Sequence, residues 1–385
     1  MAEPARQVYY KTGLSYDQPE ALARAMEEIF RLCPAAERLG PGSRVLLKPN
    51  LLAKHPPEHA VTTHPAVVEA VAAALRRRGV EQIVLADSCG GLYSEGVMRG
   101  IYKASGLSAV CGRLGITVWD KTTSGPRASG GRLVREFNLI TPVLESDFII
   151  DLPKFKTHVM TGLTAAVKNL FGCVPGLQKA EMHMRFPDRE RFGEMLCDLC
   201  GAVAPALAIV DGITAMEGDG PAGGVPREPG LLLGGCDPWQ VDLAAAALMG
   251  LAPERVPYLA AAGRRGLCGE RFDPADLAPG SDPLRPIPDW KLPESFSSLT
   301  FADKFPSGLR WASPLVTRFA APRPVIRRAK CVGCGKCAEI CPGHTIAVKA
   351  GKARIDPVGC IRCFCCHEMC PAKAIDVRRI PFFNL

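Results

Sequence analysis

DFIIDLPKFKTH, residues 147–158, opens on a nearly unbroken apolar run and closes on Lys154, Lys156 and His158, set two residues apart. A short apolar run rich in β-branched residues reads as a strand buried on both faces, the kind found in parallel sheets. Working outward, SRVLLKP (43–49), QIVLAD (82–87) and ALAIV (206–210) have the same character. Between the first two, residues 65–78 place apolar side chains at helical spacing behind Thr62, Thr63 and His64 as cap candidates. Strands of this kind alternating with helices predict an α/β domain over 1–283, with a mostly parallel sheet and helices on both faces. Ligands of such sheets sit beyond the C-terminal ends of the strands.

That rule gives weight to three strand ends. Lys48-Pro49-Asn50 closes one strand. Lys154, Lys156 and His158 leave another on one parity, and Lys168-Asn169 follows on the next helix or turn. Asp211-Gly212 and Glu217 with Asp219 stand in a Gly- and Pro-rich stretch, where backbone can approach a ligand or simply turn. Several cations converging from different strand ends suit a carboxylate or phosphate. One lysine with a lowered pKa could instead act as acid or base. Lys154, Lys156, His158, Lys168 and Glu217 are therefore the catalytic candidates, and Lys48, Asn50, Asn169 and Asp211 the cleft-binding candidates. Asp87-Ser88-Cys89-Gly90-Gly91 is a weaker strand-end case. No GxxxxGK[ST] loop and no GxGxxG fingerprint occurs, so no nucleotide cofactor is expected. His55, His59 and His64 lack ligand spacing, and Cys197 with Cys200 falls in a helical apolar context that reads as buried thiols.

Residues 284–324 differ in kind. Pro286, Pro288, Pro293, Pro306, Pro314, Pro322 and Pro324 interrupt any periodicity, so this stretch reads as an extended connector. Beyond it lies a small α+β domain at 325–385. There Cys331-x2-Cys334-x2-Cys337-x3-Cys341-Pro342 repeats after 29 residues as Cys360-x2-Cys363-x2-Cys366-x3-Cys370-Pro371. Three closely spaced thiolates hold three irons of a cube, and the fourth cysteine of each run crosses to the other cube. Two [4Fe–4S] clusters are expected, one on Cys331, Cys334, Cys337 and Cys370, the other on Cys360, Cys363, Cys366 and Cys341. Zinc ribbons use paired cysteines rather than such runs. Ile346 and Ile375 occupy matching places and are expected to pack between the clusters, and Cys365 reads as a free thiol. The stretch from about 325 to 379 resembles bacterial dicluster ferredoxins.

Charge follows the same division. From 323 to 385 twelve Lys and Arg face four Asp and Glu, so this segment carries the whole formal excess of +8. Clusters of about −2 each offset roughly half of it. The surplus fits an acidic electron-transfer protein, a ferredoxin or flavodoxin, as well as internal charge balancing. Without interleaved aromatics it does not read as a nucleic-acid surface. No stretch is long and apolar enough to span a bilayer, and MAEPARQVYYKTG does not read as a secretory leader, so a cytoplasmic protein is expected.

LLKPN (46–50), PKFKTHVMTGLTAAVKNLFG (153–172) and DGITAMEGDGP (211–221) resemble the family named domain of unknown function 362, over roughly residues 5–250. Members often carry a C-terminal dicluster ferredoxin domain. The resemblance implies that Lys48, Lys154, Lys156, His158, Lys168, Asn169 and Glu217 belong to one site, and it implies no substrate. The leading expectation is a reductase: electrons pass through the clusters to a small anionic substrate held by the cleft lysines. A carrier or assembly factor whose α/β domain binds a protein is the alternative. A third is a non-redox enzyme whose clusters sense redox state or support the fold.

Overall fold

The computed structural model describes residues 6–296 and 322–378. Twelve strands build the large domain: β1 (Val8–Lys11), β2 (Arg44–Pro49), β3 (Gln82–Leu85), β4 (Thr117–Val118), β5 (Ser124–Ala128), β6 (Glu136–Ile140), β7 (Phe148–Leu152), β8 (Lys154–His158), β9 (Gly162–Thr164), β10 (Leu207–Glu217), β11 (Val225–Arg227) and β12 (Leu231–Gly235). Ten of them form one mixed sheet in the order β1-β12-β10-β7-β2-β3-β4, with β8 and β11 pairing the far part of β10 and β9 pairing β8. Pairings through the centre, from β10 to β4, are parallel, whereas β12 and β1 run antiparallel on the flank. β5 and β6 form a separate antiparallel ribbon.

Alternation along the strands explains why helices cover both faces. Val45, Leu47, Ile150 and Ile209 join one core with the helices Pro19–Arg31 and Pro65–Arg77. Leu46, Ile149, Ala208 and Val210 join the other with Arg189–Val203, Pro238–Leu248 and Pro257–Arg264. His64 caps Pro65–Arg77 through its side chain, accepting from the Ala66 N–H at 3.2 Å.

Two local readings are corrected. The strand expected to end at Val210 continues to Glu217, so Asp211 and Glu217 project from sheet rather than from a loop. Its extension exists because Pro153 interrupts β7 and β8 then pairs beside it, with Asp211 opposite Lys154. The Gly- and Pro-rich loop begins only at Gly218, whose φ of 78° suits glycine.

Only the ends of the 284–324 connector are described, and 297–321 lies outside the described residues. Leu284, Ile287, Trp290 and Leu292 pack onto the large core. The small C-terminal unit consists of two antiparallel ribbons, Arg323–Ile326 with Ile375–Arg378 and Ile346–Lys349 with Lys352–Ile355, and two one-turn helices, Lys336–Glu339 and Cys365–Glu368. Ile346 and Ile375 pack with Cys337 and Cys366.

The second of those helices docks on the large domain. The His367 imidazole lies 2.6 Å from Ile375 O and 2.9 Å from Asp219 O, bridging the two units. A Cβ added to Gly223 would meet that ring at 2.6 Å and Asp219 O at 2.8 Å. Gly223→Val is therefore expected to loosen the docking while the separate cores hold. Hydrogen exchange should rise together over residues 153–158 and 361–369, and unchanged protection there would show that the contact does not hold the units together.

Candidate functional site

Along β8 the period of two puts Lys154, Lys156 and His158 on one side of the strand, and all three are fully buried. Each meets a different environment. Lys154 Nζ donates to Asp211 Oδ2 at 2.8 Å and to the Tyr16 hydroxyl at 2.9 Å. Tyr16 in turn donates to Asp211 Oδ1 at 2.8 Å, and the His64 N–H donates to Asp211 Oδ2 at 2.8 Å. Asp211 is thereby saturated, and burial, partly opposed by that carboxylate, lowers the Lys154 pKa. Lys48 forms a second buried pair, 3.0 Å from Asp87 Oδ1. Burial pulls its pKa down, but Asp87, Cys173 and Asp151 outweigh it and leave the ammonium favoured. Gly172 is required beside this pair, since a Cβ there would fall 2.0 Å from Asp87 Oδ1. Neither ammonium lines the cavity described next, although Asp87 does.

Lys156 does. Its ammonium donates to Asn50 Oδ1 at 2.6 Å and to Val61 O at 2.8 Å. Asn50 Nδ2 donates to Asn169 Oδ1 at 2.5 Å, and Asn169 Nδ2 to Asp151 Oδ1 at 2.8 Å, which fixes both amide orientations. Asp151 is fully buried, and burial, partly opposed by Lys48 and by the Asn169 hydrogen bond, holds its carboxyl well above the usual carboxylate range. His158 Nδ1 accepts from the Met160 N–H at 3.1 Å, so the neutral ring carries its proton on Nε2, which points across the cavity. Burial, then the Lys168 and Lys156 charges, keep that ring neutral. Lys168 lies 4.8 Å over the Phe171 ring and has no hydrogen-bond partner among the described residues.

The opposite wall comes from the C-terminal unit. Asn50, Lys156, His158, Lys168 and Asn169 share one cavity with Cys365, Glu368 and Met369 of the helix between the second and fourth cysteines of the second run. Its free space is about 70 Å³, room for several waters or one small molecule but not a nucleotide. Glu368 Oε1, Thr164 Oγ1 and His183 Nδ1 are buried in its wall without hydrogen-bond partners. Glu368 Oε1 and His158 Nε2 are 3.4 Å apart. Orphaned donors and acceptors together with a partnerless ammonium are the signature of a site that expects a polar ligand.

Of the sequence candidates, Asn50, Lys156, His158, Lys168 and Asn169 meet in this cavity, while Lys48, Lys154 and Asp211 brace it from outside its lining. Glu217 is elsewhere. It accepts from Arg227 at 2.8 Å and from the Lys291 N–H at 3.1 Å, because its place opposite Val225 turns it toward β11. Sequence reasoning missed Lys179, His183 and Glu368. Lys179 and His183 share one face of the helix Gln178–Arg185, an i, i+4 pair that was legible in principle. Lys179 donates to Ser88 O, Ser88 Oγ and Cys89 O, and burial lowers its pKa to about 8.

Burial, with only partial relief from Glu368, lowers the Lys156 pKa to about 7. A lysine so depressed is charged below that pH and neutral above it. Affinity for a small carboxylate should hold below pH 7 and fall up to about tenfold per unit above it. Isothermal titration from pH 5.5 to 8.5 reads this, and Lys156→Arg should flatten the profile, since guanidinium stays charged.

The cysteines divide into two cavities. Cys331, Cys334, Cys337 and Cys370 line one; Cys341, Cys360, Cys363 and Cys366 line the other. Backbone N–H groups of Ala353, Ala374 and Thr345 point at the sulfurs of Cys331, Cys370 and Cys341 at 3.4, 3.2 and 3.4 Å, as thiolates favour. No three His, Cys, Asp or Glu among the described residues stand close enough to share one metal ion. Each cavity is lined by four cysteines, the number of thiolates that one [4Fe–4S] cube takes. The donor set therefore fits iron–sulfur cubes.

Comparison with known proteins agrees with both halves. The model of a family described as domain of unknown function (DUF362) matches residues 45–247, and that of a 4Fe-4S dicluster domain matches residues 323–371. A thylakoid-associated protein of Synechocystis is 37% identical over 290 residues, covering 74% of this chain and 88% of that protein. The lactate racemase apoprotein of Thermoanaerobacterium thermosaccharolyticum superposes with a TM-score of 0.40 at 11% identity, over 66% of this chain and 59% of that one. A protein from Thermotoga maritima gives 0.33 at 13% identity, over 57% of this chain and 55% of that one.

Proposed function

The chain belongs to the DUF362 family and carries a 4Fe-4S dicluster domain at its C-terminal end, and from that premise we propose that it is a reductase delivering electrons to a small anionic substrate in the Lys156–Lys168 cavity. One observation carries this reading: the helix that joins the cysteines of the second run also walls the cavity, through Cys365 and Glu368. Two clusters, held by Cys331, Cys334, Cys337 and Cys370 and by Cys341, Cys360, Cys363 and Cys366, supply single electrons when bound. Lys168, with no other hydrogen-bond partner among the described residues, takes the substrate's anionic group, and the remaining Lys156 proton binds it from the side. The His158 Nε2–H faces the same space as a proton donor, its tautomer set by the Met160 N–H. Asn50 holds Lys156 in place, and Asn169, anchored on the Asp151 carboxyl, holds Asn50.

The carrier or assembly-factor reading fits less well, because lysines enclosed in a cavity cannot spread over a protein partner. No helix among the described residues is long and apolar enough to cross a membrane. Eight clustered cysteines and nine others outside any disulfide fit a reducing compartment, which supports the cytoplasm as the location. An acidic ferredoxin or flavodoxin is the electron source that the charge distribution favours.

Electron paramagnetic resonance of the reduced protein tests the site. Titration with small carboxylates and phosphates should perturb the signal of one cluster in the wild type and not in Lys168→Gln. Identical perturbation in both would remove the anion from this cavity.

A further inference from the structure

The positive charge gathered after residue 323 is not spent on the cavity. Arg323, Arg328 and Arg354 are exposed and form no ion pair among the described residues. With half-buried Arg362 they line an open groove on the outer side of the dicluster domain. The floor of the groove reaches both cysteine sets. Ala353 lines the groove and the first cavity, and its N–H points at Cys331 Sγ at 3.4 Å. Cys360 lines the groove and the second cavity. At the rim, next to Pro357, Val358 is 90% exposed, a rare outlay of apolar surface in so small a unit.

We propose that this groove is where an acidic electron-carrying protein docks, a small iron–sulfur or flavin protein whose carboxylates meet the arginines. Guanidinium groups pair carboxylates bidentately and steer encounter over a Debye length, and a contact held mainly by exposed charges exchanges quickly, as a carrier requires. In each encounter one electron leaves the reduced carrier and enters the dicluster domain, with no bond made or broken. None of the cavity-lining residues Cys365, Glu368 and Met369 lines the groove, so the carrier and the substrate do not compete. The inference rests on the dicluster domain alone and stands or falls apart from the substrate reading.

The test follows cluster reduction in the intact protein, without substrate, using photoreduced plant-type [2Fe–2S] ferredoxin as the acidic probe. Methyl viologen radical, a small cation, is the control donor. Arg328→Glu with Arg354→Glu should slow reduction by ferredoxin at least about tenfold at low salt, with reduction by the dye not slowed. Wild-type reduction by ferredoxin should fall as salt rises. Arg354→Gln should lie between, which keeps the test open if the double variant loses its clusters. Equal ferredoxin rates in all variants would overturn the proposal. So would arginine-dependent binding to anionic lipid vesicles or DNA with ferredoxin reduction unaffected.

Discussion

Asp211→Ala is expected to destabilise the large domain by about 3–5 kcal/mol, because it leaves the buried Lys154 ammonium without its anion. Lys154 and Asp211 are both fully buried, and their 2.8 Å pair lies where β8 meets the extended β10. The same carboxylate also accepts from Tyr16 and from the His64 N–H, so the variant orphans three donors at once. Asp211→Asn keeps the shape and can still accept from two of them, and it should cost less. Urea unfolding at pH 7 reads both, and a loss under about 1 kcal/mol for the alanine variant would mean that Lys154 escapes to solvent or neutralises freely. The low folded pKa of Lys154 adds a sign: above the folded value and below 10.5, the unfolded chain binds the extra proton, so stability should rise with pH across that window.

The second large effect concerns the crossing cysteines. Cys341 lies in the first run but lines the cavity of the second, and Cys370 does the reverse. Cys341→Ser should therefore remove or cripple the cluster of Cys360, Cys363 and Cys366, and Cys370→Ser that of Cys331, Cys334 and Cys337. Iron should fall from about eight to about four per chain in each variant. The two variants should retain different paramagnetic signals. The variant lacking the second-run cluster should lose substrate-dependent reoxidation. If Cys341→Ser instead lost the first-run cluster, the ligand assignment would be wrong.

Sequence periodicity made the parallel centre of the sheet readable, because Val45, Leu47, Ile149 and Ile150 have to be buried on both faces. The antiparallel flank was hidden. β12, LLLGG, is as apolar as a parallel strand, and its partner β1 is only four residues long. The extension of β10 was hidden too, since Asp211-Gly212 reads as a turn unless one knows that β8 lies alongside. For the cavity, spacing placed Lys156 and His158 on one side, and strand ends pointed to Asn50, Lys168 and Asn169. Glu368 was out of reach, because nothing local in CCHEMC says that its carboxylate will be buried against another domain. Glu217 shows the converse: the motif that draws notice also serves an ordinary pairing with Arg227.

Electrons held by the C-terminal domain should leave through the Lys156–Lys168 cavity. The direct measurement is anaerobic reduction to completion, removal of reductant, and mixing with a panel of small carboxylates and phosphates while cluster absorbance is followed. One chemical class should reoxidise the wild type, and Lys168→Gln and Lys156→Ala should slow this about 10²-fold or more with both clusters retained. Clusters that no compound reoxidises, or a reoxidation rate indifferent to both lysines, would contradict it.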